Sequence, residues 1–301
     1  MSADEPTIPR RVLVTGGTGY LGGRLISALR TRGSDVAAIV RRDTPTHRLA
    51  TLRNAGVITL EHDGDTGQLC DLLQEARPEV VFHCSTRFVS EHKVDDVAPL
   101  VRDNILFGVQ VAEAMRRTGV RSLVVTGSAW QQHDNAAYSP MSLYAASKEA
   151  LESMLAWYAQ VGEVRVLVAR LTDLYGPDDE RRKLLWALRN AERTGQVLAM
   201  NDGSPFIDLL HIDDAVNALL TAAARLEGTS VPFETWAVRT GRSLPLRDLV
   251  RVWQSVRGTR VNVEWGARPL RARETMKPWT ATALLPDWSA KIPLEEGLLQ
   301  L

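Results

Sequence analysis

Short apolar runs alternate with longer segments of helical periodicity along the first 170 or so residues of the chain. The segments between the runs space their apolar residues three and four apart, and the longest are 100–119 and 142–162. Strands that alternate with amphipathic helices are typical of a parallel sheet covered on both faces and joined by right-handed crossovers. The pattern therefore predicts a doubly wound α/β fold. Its strand candidates are 11–15, 35–40, 57–61, 80–84, 122–126 and 164–171.

A glycine-rich turn follows the first apolar run. Gly16, Gly19 and Gly22 lie between this run and a helical segment that carries Leu21 and Leu25. Glycine is required where the backbone turns sharply or approaches a pyrophosphate closely, and the helix N-terminus offers free N–H groups to the anion. The pattern predicts a dinucleotide site at the carboxyl ends of the strands, with the first strand near the sheet centre. The alternative is an ordinary glycine-rich turn.

Composition narrows the class of protein only modestly. Lysine plus arginine and aspartate plus glutamate number 36 each, so the net charge is zero and neither a nucleic acid nor a membrane partner is expected. The two cysteines form no disulfide framework, and Cys84 is expected to be a buried free thiol in its apolar run. The polar start, Met1 to Pro6, lacks an apolar segment. We therefore expect a cytoplasmic enzyme.

Two patterns together resemble a known family. The glycines follow the spacing TGxxGxxG, and Tyr144-Ala-Ala-Ser-Lys148 lies far downstream. The chain is similar in this respect to the extended short-chain dehydrogenases/reductases, the NAD-dependent epimerase/dehydratase family, and most of all to bacterial nucleotide-linked 4-keto-6-deoxyhexose 4-ketoreductases. The resemblance runs from about Arg10 to the closing segment 294–298.

The resemblance implies a division into two domains. A Rossmann-type dinucleotide-binding domain would comprise residues 10–172 and 207–228, because in this family the chain returns to the sheet for one strand and one helix. A smaller C-terminal α/β substrate domain would comprise 173–206 and 229–301, beginning where Gly176 and Pro177 end the alternation and a charged helix follows at 180–194. The family also suggests a homodimer through the helices 100–119 and 142–162, although their apolar faces could equally be core.

The resemblance assigns catalysis to Ser128, Tyr144 and Lys148. A tyrosine hydroxyl has an ordinary pKa of about 10, and a lysine four residues later on the same helix face would lower that pKa and reach the nicotinamide ribose. Ser128 would hydrogen-bond the substrate oxygen where negative charge develops. The alternatives are a chance Tyr/Lys spacing and a serine that only caps a helix.

Cofactor preference is indicated at the end of the second strand. NAD-preferring members carry an acidic residue there, whereas this chain has Arg41 and Arg42, whose guanidinium groups can bind a 2′-phosphate. We therefore predict NADPH, with Arg41 the principal contact. The alternatives are two solvated arginines and an Asp43 that points inward. The resemblance implies further cofactor contacts from Thr15, Gly16, Gly19, Tyr20, Leu21, Gly22, Asp65, Ser85, Asn104, Lys148 and Leu171.

The same comparison favours carbonyl reduction. Family epimerases hold NAD and recycle it, and sugar dehydratases have an acid pair where this chain has Ala129 and Trp130. The expected substrate is a nucleotide-linked 4-keto-6-deoxyhexose, which the resemblance places against Thr86, Trp130, Asp173 and Tyr175.

Two departures favour an alternative substrate. Asp173 and Ile207 replace an Asn and an Arg that contact the sugar nucleotide's diphosphate in epimerases, and a carboxylate repels a diphosphate. The first alternative is an NADPH-dependent reductase of an uncharged cyclic, aromatic or polyketide ketone, and the second is a non-catalytic NADPH-sensing regulator. The arginines that could replace the missing one are Arg181, Arg182, Arg268 and Arg271. The tryptophans that could line an apolar pocket, unless they are core, are Trp186, Trp236, Trp265 and Trp279.

No metal site is predicted. The segment 208–216 contains His211, Asp213 and Asp214, but an Asp pair at the start of a helix is better explained by capping and by the helix dipole. His133 is expected to be an exposed loop residue, and Trp130 either shapes the substrate pocket or packs over the loop.

Overall fold

The computed structural model describes residues 8–301, so the predictions that concern Met1 to Pro6 lie outside the described residues. The strands are β1 (Arg11–Thr15), β2 (Asp35–Arg41), β3 (Ile58–His62), β4 (Val80–His83), β5 (Ser122–Ser128), β6 (Arg165–Leu171), β7 (Asp173–Tyr175), β8 (Leu198–Met200), β9 (Phe206–Ile207), β10 (Leu209–His211), β11 (Phe233–Val238), β12 (Leu244–Pro245) and β13 (Val263–Trp265). The helices are α1 (Tyr20–Thr31), α2 (Thr46–Asn54), α3 (Thr66–Ala76), α4 (Val97–Val101), α5 (Phe107–Thr118), α6 (Leu143–Gln160), α7 (Leu184–Thr194), α8 (Ile212–Gly228), α9 (Leu246–Arg257) and α10 (Leu294–Leu299).

Seven strands form one sheet in the order β11-β6-β5-β4-β1-β2-β3, and every neighbouring pair is parallel. The six strands predicted from the apolar runs are all in it, and β1 lies between β4 and β2. Helices α1 and α8 pack on one face, while α3, α5 and α6 pack on the other. The predicted Rossmann-type α/β fold is confirmed.

The strand expected near Ile207 is not part of this sheet. β9 pairs with β12 and β10 pairs with β7, each in a separate two-stranded sheet. The seventh strand of the main sheet is β11, which pairs in parallel with β6 and lies within the range assigned to the substrate domain. Helix α8 covers the sheet and returns the chain to its edge, so the strand that follows α8 joins the sheet rather than the one before it. The division into two domains stays a prediction.

The helix predicted at 142–162 is α6. The helix predicted at 100–119 is interrupted, because Arg102–Leu106 forms a π-helical turn between α4 and α5. The charged helix begins at Leu184 rather than at 180, since Gly176 and Asp178 have positive φ angles of 148° and 61° and break the chain there.

Apolar side chains remain exposed on the two long helical segments, among them Val101, Leu106, Met154 and Trp157. The homodimer through these helices stays a prediction. In residues 8–301, no helix combines the length and the apolar character needed to span a membrane.

Candidate active site

A cavity of about 990 Å³ follows the carboxyl ends of the parallel strands. It extends from the ends of β2 and β3, past the glycine turn after β1, to Tyr144 at the start of α6. The residues predicted to bind the cofactor that line it are Gly16, Gly19, Tyr20, Leu21, Gly22, Arg41, Arg42, Ser85 and Leu171.

The glycine turn has the geometry that a closely bound anion requires. Gly16 has φ of 72°, and a Cβ there would lie 2.7 Å from the backbone nitrogen of Ser85. A Cβ on Gly22 would clash with the carbonyl oxygen of Gly16. Helix α1 begins directly after Gly19, and no side chain of residues 8–301 caps its first N–H groups. These groups are therefore free to bind the pyrophosphate of a dinucleotide.

Three arginines line the end of the cavity beside β2. Arg41 contacts Asp43 at 3.1 Å, and Arg42 lies 3.3 Å from Glu61. Both side chains are about two thirds exposed. The third is Arg48 on α2, which donates to the carbonyl oxygen of Thr18 and was missed by the sequence analysis. Asp43 also lines the cavity, but its side chain is mostly exposed and paired with Arg41.

Three residues predicted to touch the cofactor have other contacts. Thr15 is fully buried, and its hydroxyl lies 3.0 Å from Nδ1 of His83. Asp65 caps α3 by accepting a hydrogen bond from the Gln68 amide, and Asp63 lines the cavity in its place. Asn104 is buried and bonds Thr86, Arg87 and Ser147. Asp65 does not face the cavity because a carboxylate at the N-cap position points at the helix.

Two of the residues predicted to be catalytic, Ser128 and Tyr144, meet at one end of the cavity. Tyr144, Ser128 and Thr86 all line it, and the Tyr144 ring packs edge-on against Phe88 at 5.0 Å. Burial raises the pKa of Tyr144 to about 12, while the hydroxyls of Ser128 and Thr86 lower it and Asp173 raises it. At neutral pH Tyr144 is therefore a protonated phenol, the form that can donate a proton.

The Lys148 side chain bonds the backbone in this structure. Its Nζ donates a 2.9 Å hydrogen bond to the carbonyl oxygen of Thr126, and its side chain is buried behind the cavity wall. Burial lowers the pKa of Lys148 to about 8, against the opposing charges of Cys84 and Glu152. The pKa of Tyr144 is raised overall, mainly by burial, and the stabilisation of its phenolate by Lys148 stays a prediction.

A second cavity, of about 370 Å³, adjoins the first. The two share Phe88, Trp130, Asp173, Leu174, Arg181, Arg182 and Lys183. The second extends from these shared residues to Trp186 and Arg189 on α7 and to Phe206 and Ile207 in β9. The second cavity therefore leads from the first cavity to residues of the second half of the chain.

Five cationic side chains line the second cavity, and three of them are paired. Arg181 is paired with Asp179 and Arg271 with Glu274. Lys183 lies 3.7 Å from Asp173. Arg182 packs over the Trp186 ring and has no carboxylate partner in residues 8–301.

The fifth is Arg189, which donates to the main-chain oxygen of Leu301. Arg182 and Arg189 are thus the cations of this cavity that have no side-chain carboxylate as a partner within residues 8–301.

The predicted substrate residues divide between the cavities. Thr86 lines the first, Tyr175 lines the second, and Trp130 and Asp173 line both. Trp130 thus shapes the pocket, and Arg271 packs over its ring at 5.2 Å. Of the four tryptophans considered for an apolar pocket, Trp186 lines a cavity and Trp279 is core. Arg268 is not part of either lining.

One other expectation is corrected, because His133 is mostly buried and its Nε2 lies 2.9 Å from the carbonyl oxygen of Glu274. Cys84 is a free cysteine at the end of β4, packed against the core and partly exposed at the first cavity, and burial raises the pKa of its thiol to about 12. His211 caps α8 by accepting from the Asp213 amide, and no cluster of metal-ligating side chains occurs within residues 8–301.

The sequence analysis missed Phe88, Lys183, Arg189 and Arg48. Their only signal is a basic or aromatic side chain near a chain break or in the first turns of a helix. That signal is too common to select them, because the opposite wall of each cavity comes from a distant part of the chain.

Comparison with known proteins identifies the family. The model of the NAD dependent epimerase/dehydratase family matches residues 12–232, well over half of the chain. The chain therefore belongs to this family, as the glycine and Tyr144-to-Lys148 patterns predicted.

Individual relatives are distant and differ in activity. The UDP-glucose 4-epimerase of Mycolicibacterium smegmatis is 29% identical over 258 residues, 79% of this chain and 80% of that protein. The CDP-abequose synthase of Salmonella muenchen is 22% identical over 98% of this chain and 97% of that protein. The 2-alkyl-3-oxoalkanoate reductase of Stenotrophomonas maltophilia is 29% identical over 80% of this chain and 73% of that protein.

The solved structure of MoeE5 in complex with UDP-glucose and NAD has a TM-score of 0.78 over 96% of each chain, at 24% identity. This likeness extends the shared fold to nearly the whole molecule.

Proposed function

We propose that the protein is an NADPH-dependent ketoreductase that reduces the carbonyl of a nucleotide-linked 4-keto-6-deoxysugar. The observation that supports this most is the meeting of two cavities at Tyr144 and Ser128. One cavity has a glycine cradle and three arginines suited to a phosphorylated dinucleotide, and the other has two arginines without a side-chain carboxylate partner in residues 8–301, suited to a second anionic ligand. The near full-length likeness to CDP-abequose synthase supports a nucleotide-sugar substrate.

The reacting groups suit reduction. The nicotinamide of NADPH, held along the first cavity, would supply the hydride. Tyr144 would donate its phenolic proton to the carbonyl oxygen, because its raised pKa keeps it protonated at neutral pH. The Ser128 oxygen accepts a hydrogen bond from the Trp130 amide, and its hydroxyl, which faces Tyr144, would donate to the same carbonyl oxygen when substrate is bound.

The preference for NADPH rests on the arginines at the end of β2. A guanidinium group binds a phosphate in a bidentate manner, and Arg41, Arg42 and Arg48 surround the position where the end of a dinucleotide would lie. The NAD bound by MoeE5 is a property of that protein. In this chain the carboxylates of Asp43 and Asp63 are each paired with one of these arginines.

Replacing Arg41 with Ala should weaken NADPH binding by about 10- to 100-fold, since hydrogen bonds to charged groups contribute about 1.5–3 kcal/mol. NADH binding should change little, because NADH lacks the 2′-phosphate. Titration of the apoprotein followed by cofactor fluorescence measures both. Arg53→Ala is the matched control, because Arg53 lies on α2 but bonds Thr59 outside the cavity. An equal loss for NADH and NADPH would contradict the assignment.

The diphosphate of the substrate is proposed to bind Arg182 and Arg189. These residues stand in for the arginine that Ile207 replaces, and they approach from α7 and the segment before it. Lys183 lies 3.7 Å from the carboxylate of Asp173 and would neutralise its charge beside this diphosphate. The departure at Asp173 is therefore compatible with a nucleotide sugar.

Oxidation of NADPH with dTDP-4-keto-6-deoxyglucose, made in situ by a dehydratase, tests the function. We expect turnover, and we expect Arg182→Ala to raise KM for this substrate by about tenfold while kcat changes less, since a charge-assisted hydrogen bond to the substrate is lost. Arg268→Ala is the control, because Arg268 is not part of the cavity. Absence of turnover with every nucleotide-linked ketosugar, alongside turnover of uncharged ketones, would overturn the nucleotide-sugar assignment.

The second candidate is a reductase of a non-nucleotide ketone. The wall next to Tyr144 favours it, because Phe88 and Trp130 pack against each other at 5.4 Å and present aromatic surface to the substrate. The likeness to 2-alkyl-3-oxoalkanoate reductase also supports it. If this candidate is correct, Arg182→Ala should leave the KM for the uncharged ketone unchanged.

A further inference from the structure

A fully buried glutamine lies directly beside the reacting serine. Gln131 follows β5 in a short 3-10 turn, and its Oε1 accepts a 2.8 Å hydrogen bond from the backbone N–H of Ser128. Its Nε2 points the other way and donates to two carboxylates, at 2.6 Å to Glu149 and 2.7 Å to Glu152. Every polar atom of the amide is therefore used, and its orientation is fixed because only the nitrogen can donate to carboxylates.

The carboxylates belong to a buried charged cluster that holds three elements together. Glu149 and Glu152 lie on α6, and Arg170 of β6 donates to both, at 3.0 Å and 2.6 Å. The side chains of Glu152 and Arg170 are each 7% exposed. A Cβ on Gly127, one residue before Ser128, would lie 2.8 Å from both of them, so β5 passes directly over the cluster.

This cluster is costly as a source of stability alone. Glu152 and Arg170 lie out of water, where burial raises the pKa of Glu152 against the opposing effect of Arg170, and well-packed apolar residues would often be as stable. What the cluster does specify is position. It joins α6, which carries Tyr144, to the end of β5, which carries Ser128, and Gln131 is the group that makes the connection.

We propose that Gln131 is a positioning residue that fixes Ser128 relative to Tyr144 by linking the Ser128 backbone to the Glu149–Glu152–Arg170 cluster. The catalytic part of this inference rests on the proposed ketoreductase function, whereas the link itself does not. Loss of the link frees the Ser128 amide and lets its hydroxyl move away from the substrate oxygen. Such a displacement lowers the rate without removing any reacting group.

The test is a double-mutant cycle between Gln131→Met and Ser128→Ala. Methionine has a similar length and no amide, so we expect kcat to fall about tenfold in the single variant, within the range of coupled neighbours. In the Ser128→Ala background the same change should alter kcat less than about twofold, because its effect passes through the serine hydroxyl. Equal effects in both backgrounds would overturn the proposal.

Gln132→Met is the matched control for this cycle. Gln132 is the next residue and is also buried, but its Oε1 accepts from Trp279 and Thr282 instead of Ser128. The change in kcat that Gln132→Met causes should be the same with and without the Ser128→Ala substitution. Coupling of the same size at Gln132 would show a general loosening of the loop and would also overturn the proposal.

Gln131→Glu keeps the proposal testable if the methionine variant does not fold. A protonated carboxyl group can accept from the Ser128 amide and donate to Glu152 as the amide does, whereas an ionised one cannot donate. The kcat of this variant relative to the unmodified enzyme should therefore rise as pH falls. A ratio that is independent of pH would contradict the positioning role.

One measurement is independent of turnover. Hydrogen–deuterium exchange in peptides that cover 122–131 should be faster in Gln131→Met and unchanged in Gln132→Met, because only the first releases the Ser128 amide. Unchanged exchange in both variants would overturn the link itself. If the unmodified enzyme reduces no ketone while exchange changes as expected, the proposed function fails and the link stands.

Discussion

Replacing Tyr144 with Phe should abolish ketone reduction while NADPH still binds. The substitution removes the only proton donor that the proposed reaction assigns to the carbonyl oxygen, and general acid catalysis contributes about 10²- to 10⁴-fold. We expect kcat to fall about 1000-fold. The ring itself is retained, so its packing against Phe88 and the stability of the fold should not change. Stopped-flow or steady-state NADPH oxidation measures the rate, and cofactor fluorescence measures binding.

Tyr158→Phe provides the control for this experiment. Tyr158 is also largely buried on α6, but its hydroxyl lies 3.2 Å from Glu113 on α5, away from the cavities. Its loss should leave kcat unchanged. An undiminished rate in Tyr144→Phe would remove Tyr144 from the mechanism, and tight NADPH binding without turnover of any ketone by the unmodified protein would favour the non-catalytic sensing alternative.

Replacing Lys148 with Met should lower kcat by on the order of 100-fold. When Tyr144 gives up its proton it becomes a phenolate, and a buried ammonium group one helical turn away stabilises that charge. In this structure the Lys148 Nζ bonds the Thr126 carbonyl oxygen, so we expect it to stabilise the phenolate through its charge and not through a direct hydrogen bond.

The pH dependence of the rate tests the role of the Lys148 charge. Burial disfavours the charged form of Lys148, so its ammonium loses its proton near pH 8 instead of near 10.5. The rate of the unmodified enzyme should therefore fall as pH rises through about 8. The Lys148→Met variant should lack this decline, since the group that titrates is gone. Lys277→Met, an exposed lysine, should retain it. A decline that persists unchanged in Lys148→Met would assign it to another group.

The parts of the site that could be predicted from the sequence are those set by neighbouring residues. Gly16, Gly19 and Gly22 lie in one turn, and the same few residues end β1 and begin α1. Ser128 at the end of β5 and Tyr144 at the start of α6 follow from the same rule, because parallel strands all end at one edge of the sheet.

The positions of long side chains could not be predicted in this way. Asp65 is next to a glycine that lines the cavity, yet it caps α3, and Asp63 faces the cavity instead. Lys148 has the expected spacing from Tyr144, yet its flexible side chain reaches the Thr126 carbonyl. Spacing fixes the helix face of a residue, whereas the rotamer depends on which acceptor the surrounding elements provide.

The sequence by itself determined the family, the parallel sheet, the glycine turn and the placement of Ser128 and Tyr144 at the ends of β5 and α6, because local periodicity and short-range motifs carry that information. The tertiary structure decided the rest. It placed β11 and not β9 at the edge of the sheet, brought Arg182 and Arg189 into a cavity with Trp130, and joined Gln131 to Arg170 beneath Ser128. These contacts join residues far apart in the chain, and their geometry depends on how whole elements pack and on where each buried polar group finds a partner.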